Sequence, residues 1–118
     1  MSYMLLIHEP RGQRATRTEA EGRAVYARMV DFAKELKSSG QLLAVESLQT
    51  DRHASIVQKR DGKARVLDGP FAEAKEMVGG FFLLDCKTRE EAVTIAQRCP
   101  AAEWATVEVR ATAPCYED

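Results

Sequence analysis

The sequence predicts an α+β domain, with two helices laid on one face of a mostly antiparallel sheet. Three observations carry this expectation. Thr18-x-x-Glu21 and Thr88-x-x-Glu91 are capping boxes, in which a hydroxyl and a carboxylate satisfy the orphan donors of a helix start, and apolar residues at helical spacing follow each. Short apolar or alternating runs of strand length lie around them, bounded by Gly, Pro and Asp. Asp61-Gly62, between Val57 and Val66, is a tight-hairpin signal.

The elements follow in order. Tyr3 to His8 is a short continuous apolar run, which by length and flanks is a strand buried on both faces. Glu9 to Arg17, with Pro10 and Gly12, reads as a loop carrying three arginines. A helix over 18–39 gathers Val25, Met29, Phe32, Ala33 and Leu36 on one face, with Arg23, Lys34 and Lys37 mostly off it. Gly40 stops that helix. Leu42 to Leu48 is a second strand, and Ala54 to Lys59 a third that turns back through Arg60 to Lys63 on a short fourth. Met77 to Cys86, centred on Phe81-Phe82-Leu83-Leu84, is apolar on both faces and therefore a central, doubly covered strand. Ala92, Ile95, Ala96 and Cys99 face the core from a short second helix that Pro100 ends. In the last strand, Trp104 to Arg110, the residues Ala105, Val107 and Val109 alternate with Thr106, Glu108 and Arg110. Residues 111–118 read as a frayed tail.

The order β-α-β-hairpin-β-α-β suggests a ferredoxin-like βαββαβ sandwich with an extra hairpin strand. Two helices cover only one face of such a sheet, yet two of its strands are apolar on both. A second subunit's sheet is the simple cover, so the chain is expected to be a homodimer.

At 118 residues the chain is a single domain by length, with 45% hydrophobic and 30% charged residues. Lys and Arg number 17 against 18 Asp and Glu, a balance that carries no electrostatic footprint for direct nucleic-acid binding. Cys86, Cys99 and Cys115 form no Cys-x-x-Cys, and with two histidines they complete no zinc spacing, so neither a metal site nor a disulfide framework is expected. Cys86 and Cys99 read as small buried hydrophobes and Cys115 as a tail residue. No apolar run reaches membrane-spanning length and no cationic leader precedes one, so a cytoplasmic location is the expectation.

The stretch that stands out is Asp68-Gly69-Pro70-Phe71-Ala72-Glu73-Ala74-Lys75-Glu76, running on to Gly79-Gly80-Phe81. Proline fixes its own φ and pushes Gly69 out of the α region, which aims Asp68 and Phe71 in set directions. Continued as a strand, the segment puts Phe71, Glu73 and Lys75 on one face: a ring, a carboxylate and an amine. Wound as a helix, it clusters Ala72, Lys75 and Glu76 instead. A plain reading stands beside the chemical one. Asp68 is then a turn residue, Glu73 and Lys75 a solvated edge, and Gly79-Gly80 a bulge or a close backbone approach. His8, at the end of the first strand, can titrate near neutral pH and act as acid or base. His53, in a polar loop, reads as a surface residue.

These residues resemble a known signature. Asp68-Gly69-Pro70-Phe71-Ala72-Glu73-x-Lys75-Glu76 with Gly79-Gly80-Phe81 is similar to the motif of the DGPF-domain proteins within the YCII-related family. The start Tyr3-Met4-Leu5-Leu6-Ile7, the Asp61-Gly62 turn, Cys99-Pro100-Ala101-Ala102 and Val107-Glu108-Val109-Arg110 resemble it too. The resemblance implies a ferredoxin-like fold that dimerises as an α/β barrel. Related YCII proteins bring a histidine and an aspartate together in a cleft. That histidine belongs between the first strand and the helix, where this chain has none, so the dyad does not carry over as it stands and His8 is the substitute. Ala74 stands where the family usually has threonine. Many relatives also neighbour or fuse with extracytoplasmic-function sigma factors.

Two functions are therefore expected. The first is a cofactor-independent small-molecule enzyme or ligand-binding domain. Its cleft, between the sheet and a partner subunit, is lined by the Asp68–Glu76 segment: His8 and Asp68 catalytic, Phe71, Glu73 and Lys75 holding the ligand, Lys75 on an anionic group. No nucleotide, phosphate or metal motif accompanies these residues. The alternative is a non-catalytic regulatory dimer acting with a protein partner such as a sigma factor.

Overall fold

The computed structural model describes residues 2–118. Six strands and two longer helices follow the expected order: β1 (Tyr3–Pro10), α1 (Glu19–Ser38), β2 (Leu42–Ser47), β3 (Ser55–Arg60), β4 (Lys63–Asp68), β5 (Glu76–Leu84), α2 (Arg89–Arg98) and β6 (Thr106–Ala111). Short 3₁₀ turns fall at Gln13–Thr16, Asp51–His53 and Pro100–Glu103. The last of these keeps Trp104 and Ala105 out of β6, which starts two residues later than its alternation suggests.

The ends of α1 are those read from the local sequence, whereas the capping box expected at α2 closes on one side only: Thr88 Oγ1 accepts from the Glu91 amide, but the Glu91 carboxylate accepts from the Lys87 amide instead of that of Thr88. Thr18 Oγ1 accepts from the Glu21 amide while the Glu21 carboxylate accepts from the Thr18 amide, which closes the capping box. At the other end Gly40 adopts φ 76°, and the amides of Gly40 and Gln41 donate to the carbonyls of Lys37 and Leu36. That is a Schellman closure, and only a residue without Cβ takes the left-handed position readily.

β2, β5, β1 and β6 form a four-stranded sheet in that order, with every neighbouring pair antiparallel. This is the ferredoxin-like arrangement, and it places β1 and β5, the two strands apolar on both faces, at the centre. The β3–β4 hairpin turns at Asp61 and Gly62, both at positive φ, and pairs only with itself. The extra strands thus stand apart from the sheet as an exposed arm on which Ile56, Val57, Val66 and Leu67 face water.

Alternation on the sheet defines two faces. Tyr3, Leu5, Ile7, Phe82 and Leu84 point to the helices and meet Phe32 and Leu36 of α1 and Ala92, Ile95 and Ala96 of α2. The rings of Phe32 and Phe82 meet edge to face at 5.4 Å. Cys86 and Cys99 are buried as expected, and burial pushes both thiols up; Cys115 is exposed. Met4, Leu6, Phe81 and Leu83 lie half-buried on the opposite face, which carries no helix. Among the described residues no helix is long and apolar enough to cross a membrane.

α1 uses only part of its apolar face. Phe32 and Leu36, in its second half, are buried, whereas Val25 and Met29 remain half-exposed. Space is left between the first half of α1 and the sheet.

Candidate functional site

The signature segment forms a turn rather than a strand. The Ala74 amide donates to the Phe71 carbonyl at 3.0 Å, so Phe71, Glu73 and Lys75 do not share a strand face. Asp68, the last residue of β4, accepts from Ser55 Oγ at 2.7 Å across the hairpin. Glu73 and Lys75 are exposed and Phe71 is half-buried.

What holds this turn is a residue the sequence reading passed over. Arg11, just past β1, donates from Nε to the Ala74 carbonyl at 2.8 Å, and its amide donates to the Lys75 carbonyl at 2.9 Å. Its guanidinium grips both carboxylate oxygens of Asp51. Arg11 and the backbone amide of Phe71 together hold the Asp51 carboxyl below its ordinary range, with the guanidinium hydrogen bond the larger cause. Gly69 sits so close to the Asp51 carbonyl that a Cβ there would come within 1.9 Å of its oxygen. Arg11 and Asp51 are thus the clasp that seats Gly69 to Lys75.

His8 lies elsewhere, on the helix-free face of the sheet. Its Nε2 donates to Glu108 Oε1 at 2.7 Å, and Arg110 Nε donates to Glu108 Oε2 at 2.7 Å. His8 and Arg110 together lower the Glu108 carboxyl, His8 being the larger cause. Glu108 is therefore the partner of His8 that spacing could not assign. His53 is exposed, as expected.

The space beneath α1 is a cleft of about 890 Å³. None of His8, Asp68, Phe71, Glu73 and Lys75 lines it. Its walls are Val25, Met29, Val30 and Ala33 of α1, with Ile7, Val45 and Phe82 of the sheet, and Trp104 beside them. Glu9 and Arg14 also line it. Glu9 continues the helix-facing stripe of Tyr3, Leu5 and Ile7, and only 7% of it is exposed. Arg14 donates to it from Nε at 2.9 Å and from Nη2 at 2.6 Å, a bidentate pair. Among the described residues Arg14 Nη1 has no protein partner.

Gly79 makes room for this pair. β1 and β5 slip register between Ile7 and His8, and a Cβ on Gly79 would lie 1.8 Å from Glu9 Oε1. A Cβ on Gly80 would lie 2.8 Å from the Glu46 carbonyl oxygen. The glycine pair serves close approach, of a carboxylate at one residue and of a neighbouring strand at the next. Alternation along β1 was the available signal: a carboxylate on a core-facing stripe needs a partner, and an arginine follows five residues later.

The remaining polar lining is mostly cationic. Arg17, Arg23, Lys34 and Lys37 line the cleft with Glu19 and Glu46, and Arg23 is paired with Glu19 at 2.8 Å. Arg17 and Arg28 approach the Trp104 ring at 5.8 and 5.4 Å, and Arg28 also pairs with Glu103. Among the described residues no three His, Cys, Asp or Glu side chains group as metal ligands.

A ferredoxin-like α+β domain with a ligand-sized, cation-rimmed cleft under its first helix is the class defined by these features. The YCII-related domain model matches residues 1–115, and the chain belongs to that family. It is 30% identical over 97 residues to an uncharacterised protein of Rhizobium meliloti, covering 82% of this chain and 78% of that one. Among solved structures it is similar to the 5-chloro-2-hydroxyhydroquinone dehydrochlorinase of Burkholderia phenoliruptrix in complex with 2,5-dihydroxybenzoquinone, with a TM-score of 0.56. That likeness covers 96% of this chain and 94% of the other at 13% identity, and it is a likeness of fold.

Proposed function

We propose that this chain is a cofactor-independent small-molecule enzyme or ligand-binding domain whose site is the cleft beneath α1. The observation that carries the reading is the cleft itself: about 890 Å³, apolar in its walls, with a buried carboxylate held by a partly exposed guanidinium on its lining. Ligand sites typically span roughly 300–1,000 Å³ and combine apolar walls with a few oriented polar groups. Burying the Glu9 carboxylate carries a desolvation cost that one partly exposed arginine offsets only in part, which suits a working site better than a structural one. The fold neighbour, seen with a single oxygenated ring, supports the same size of ligand.

The signature turn contributes here by position. Clasped by Arg11 and Asp51, it anchors the start of β5, the strand that carries Gly79. The helix-free face supports a homodimer closed as an α/β barrel: Met4, Leu6, Phe81 and Leu83 would pack on their copies, with His8 and Glu108 inside the joint. On this reading the proton-transfer role expected of His8 belongs to that inter-subunit space.

A thermal-shift screen of small organic acids, phenols and neutral counterparts tests the proposal. Gly22 offers the control. It lines the cleft from α1, and a Cβ there meets nothing within 4 Å, so Gly22→Trp adds bulk to the cleft from a position with room at its root. Stabilisation by a hit that vanishes in Gly22→Trp and persists in Asp68→Asn supports the cleft. Stabilisation that persists in Gly22→Trp removes it. Turnover is then read by mass spectrometry of the recovered hit.

The exposed Ile56, Val57, Val66 and Leu67 favour a second reading, a dimer that presents its hairpin to a protein partner such as a sigma factor. Co-purification of a defined protein that is lost in Val57→Lys/Val66→Lys would favour it, and a partner-free chain with intact ligand binding would not.

A further inference from the structure

We infer that the cleft selects organic anions with an apolar body, a carboxylate or phenolate head held by Arg14 and Arg17. The inference rests on the cleft being the ligand site and adds the class of ligand. Charge on the lining carries it. Glu9 neutralises Arg14 in total charge but takes only Nε and Nη2, which fixes the guanidinium plane and leaves Nη1 without a protein partner on a residue that lines the cleft. Glu19 accounts for Arg23. Arg17, Lys34 and Lys37 then stand against Glu46 alone, so the lining attracts negative charge.

The geometry separates head from body. Arg14 and Arg17 lie at the end near β1 and Trp104, while Val25, Met29, Ala33 and Val45 extend the apolar wall along α1. A planar guanidinium already fixed by a carboxylate loses little freedom when it adds an anionic oxygen. Arg14 is the anchoring residue, and Glu9 acts through it as a positioning residue.

Trp104 lines the cleft and is the single tryptophan of the chain, so its emission reports occupancy. The test is calorimetric titration of the intact protein with two matched pairs, decanoate against decanol and cinnamate against cinnamamide, with Trp104 emission followed for the aliphatic pair. The acid is expected to bind about tenfold or more tightly than its neutral counterpart, as one charge-assisted contact would give. Comparison of the two acids tells an extended body from a flat one. Arg14→Gln alone would strand Glu9, so the variant is the double Glu9→Gln/Arg14→Gln, which keeps shape and removes both charges. It should cut the acid preference severalfold by removing one of the two anchors, and Arg17→Gln should reduce it by a smaller factor. Equal affinity for acid and neutral ligand in the wild type overturns the anion inference and leaves the cleft standing. Binding of neither pair, with Trp104 emission unmoved, overturns the cleft as well. An acid preference that is undiminished in both variants overturns the assignment of the anchor.

Discussion

Gly79→Ala is the sharpest structural test of the Glu9–Arg14 pair. The new Cβ would stand 1.8 Å from Glu9 Oε1 and 3.2 Å from Arg14 Nη2, so the carboxylate has to leave its place. Arg14 is partly exposed, so the cost is that of stripping the buried Glu9 carboxylate of its charge-assisted hydrogen bonds, about 1.5–3 kcal/mol, and alanine regains roughly 0.5–1 kcal/mol over glycine in a strand. The net expectation is a loss of about 1–2 kcal/mol. At roughly 4 °C per kcal/mol for a domain of this length, the melting temperature should fall by about 4–8 °C. Urea unfolding of the wild type, Gly79→Ala, Glu9→Ala and the double variant closes a cycle. With Glu9 gone, Arg14 is free to turn to water, and Gly79→Ala should become neutral or slightly stabilising. The coupling is then about 1.5–3 kcal/mol. An equal loss in both backgrounds, within about 0.5 kcal/mol, would refute the reasoning and place the need for glycine in the backbone.

Three further outcomes are expected. Gly22→Ala should stabilise by about 0.5–1 kcal/mol in urea unfolding, because the position is helical and a Cβ there meets nothing. The Asp51 and Glu108 carboxyls are held low in the fold, so their stabilisation is complete above the unfolded carboxylate range and is lost as pH falls through the depressed values. Melting temperature should therefore drop between about pH 5 and pH 2, less steeply in Asp51→Asn, and a flat acid limb in the wild type would contradict the clasp. Leu6→Glu, at the centre of the helix-free face, should convert a dimer to a monomer by light scattering while the far-ultraviolet dichroism stays unchanged.

Features determined by a few adjacent residues were legible. Thr18 with Glu21, Gly40, and Asp61-Gly62 each specify a local geometry through their own backbone bonds, and each is found as read. The strands apolar on both faces, β1 and β5, occupy the centre for the same reason: a strand's pattern records what covers it. The signature segment was legible as a turn at Gly69-Pro70 but not beyond it. Its conformation from Phe71 to Lys75 depends on Arg11 and Asp51, which no local pattern links to it.

The site shows the same division. Glu9 on a core-facing stripe is a sequence fact, and so is an arginine five residues on. That these two meet under Gly79, some seventy positions away, follows from the β1–β5 register slip and appears only when the strands pair. The cleft above them exists because α1 buries Phe32 and Leu36 yet leaves Val25 and Met29 half-covered, an unevenness along the helix that its periodicity does not encode. His8 found Glu108 by the pairing of β1 with β6, one hundred residues apart. The sequence by itself determined the elements, their order, the ends of the first helix, the central strands and the family, because those rest on short-range bonding and on burial averaged along a strand. Strand register and the seating of the first helix, which only the packed chain has, decided which charged groups meet and where a ligand has room.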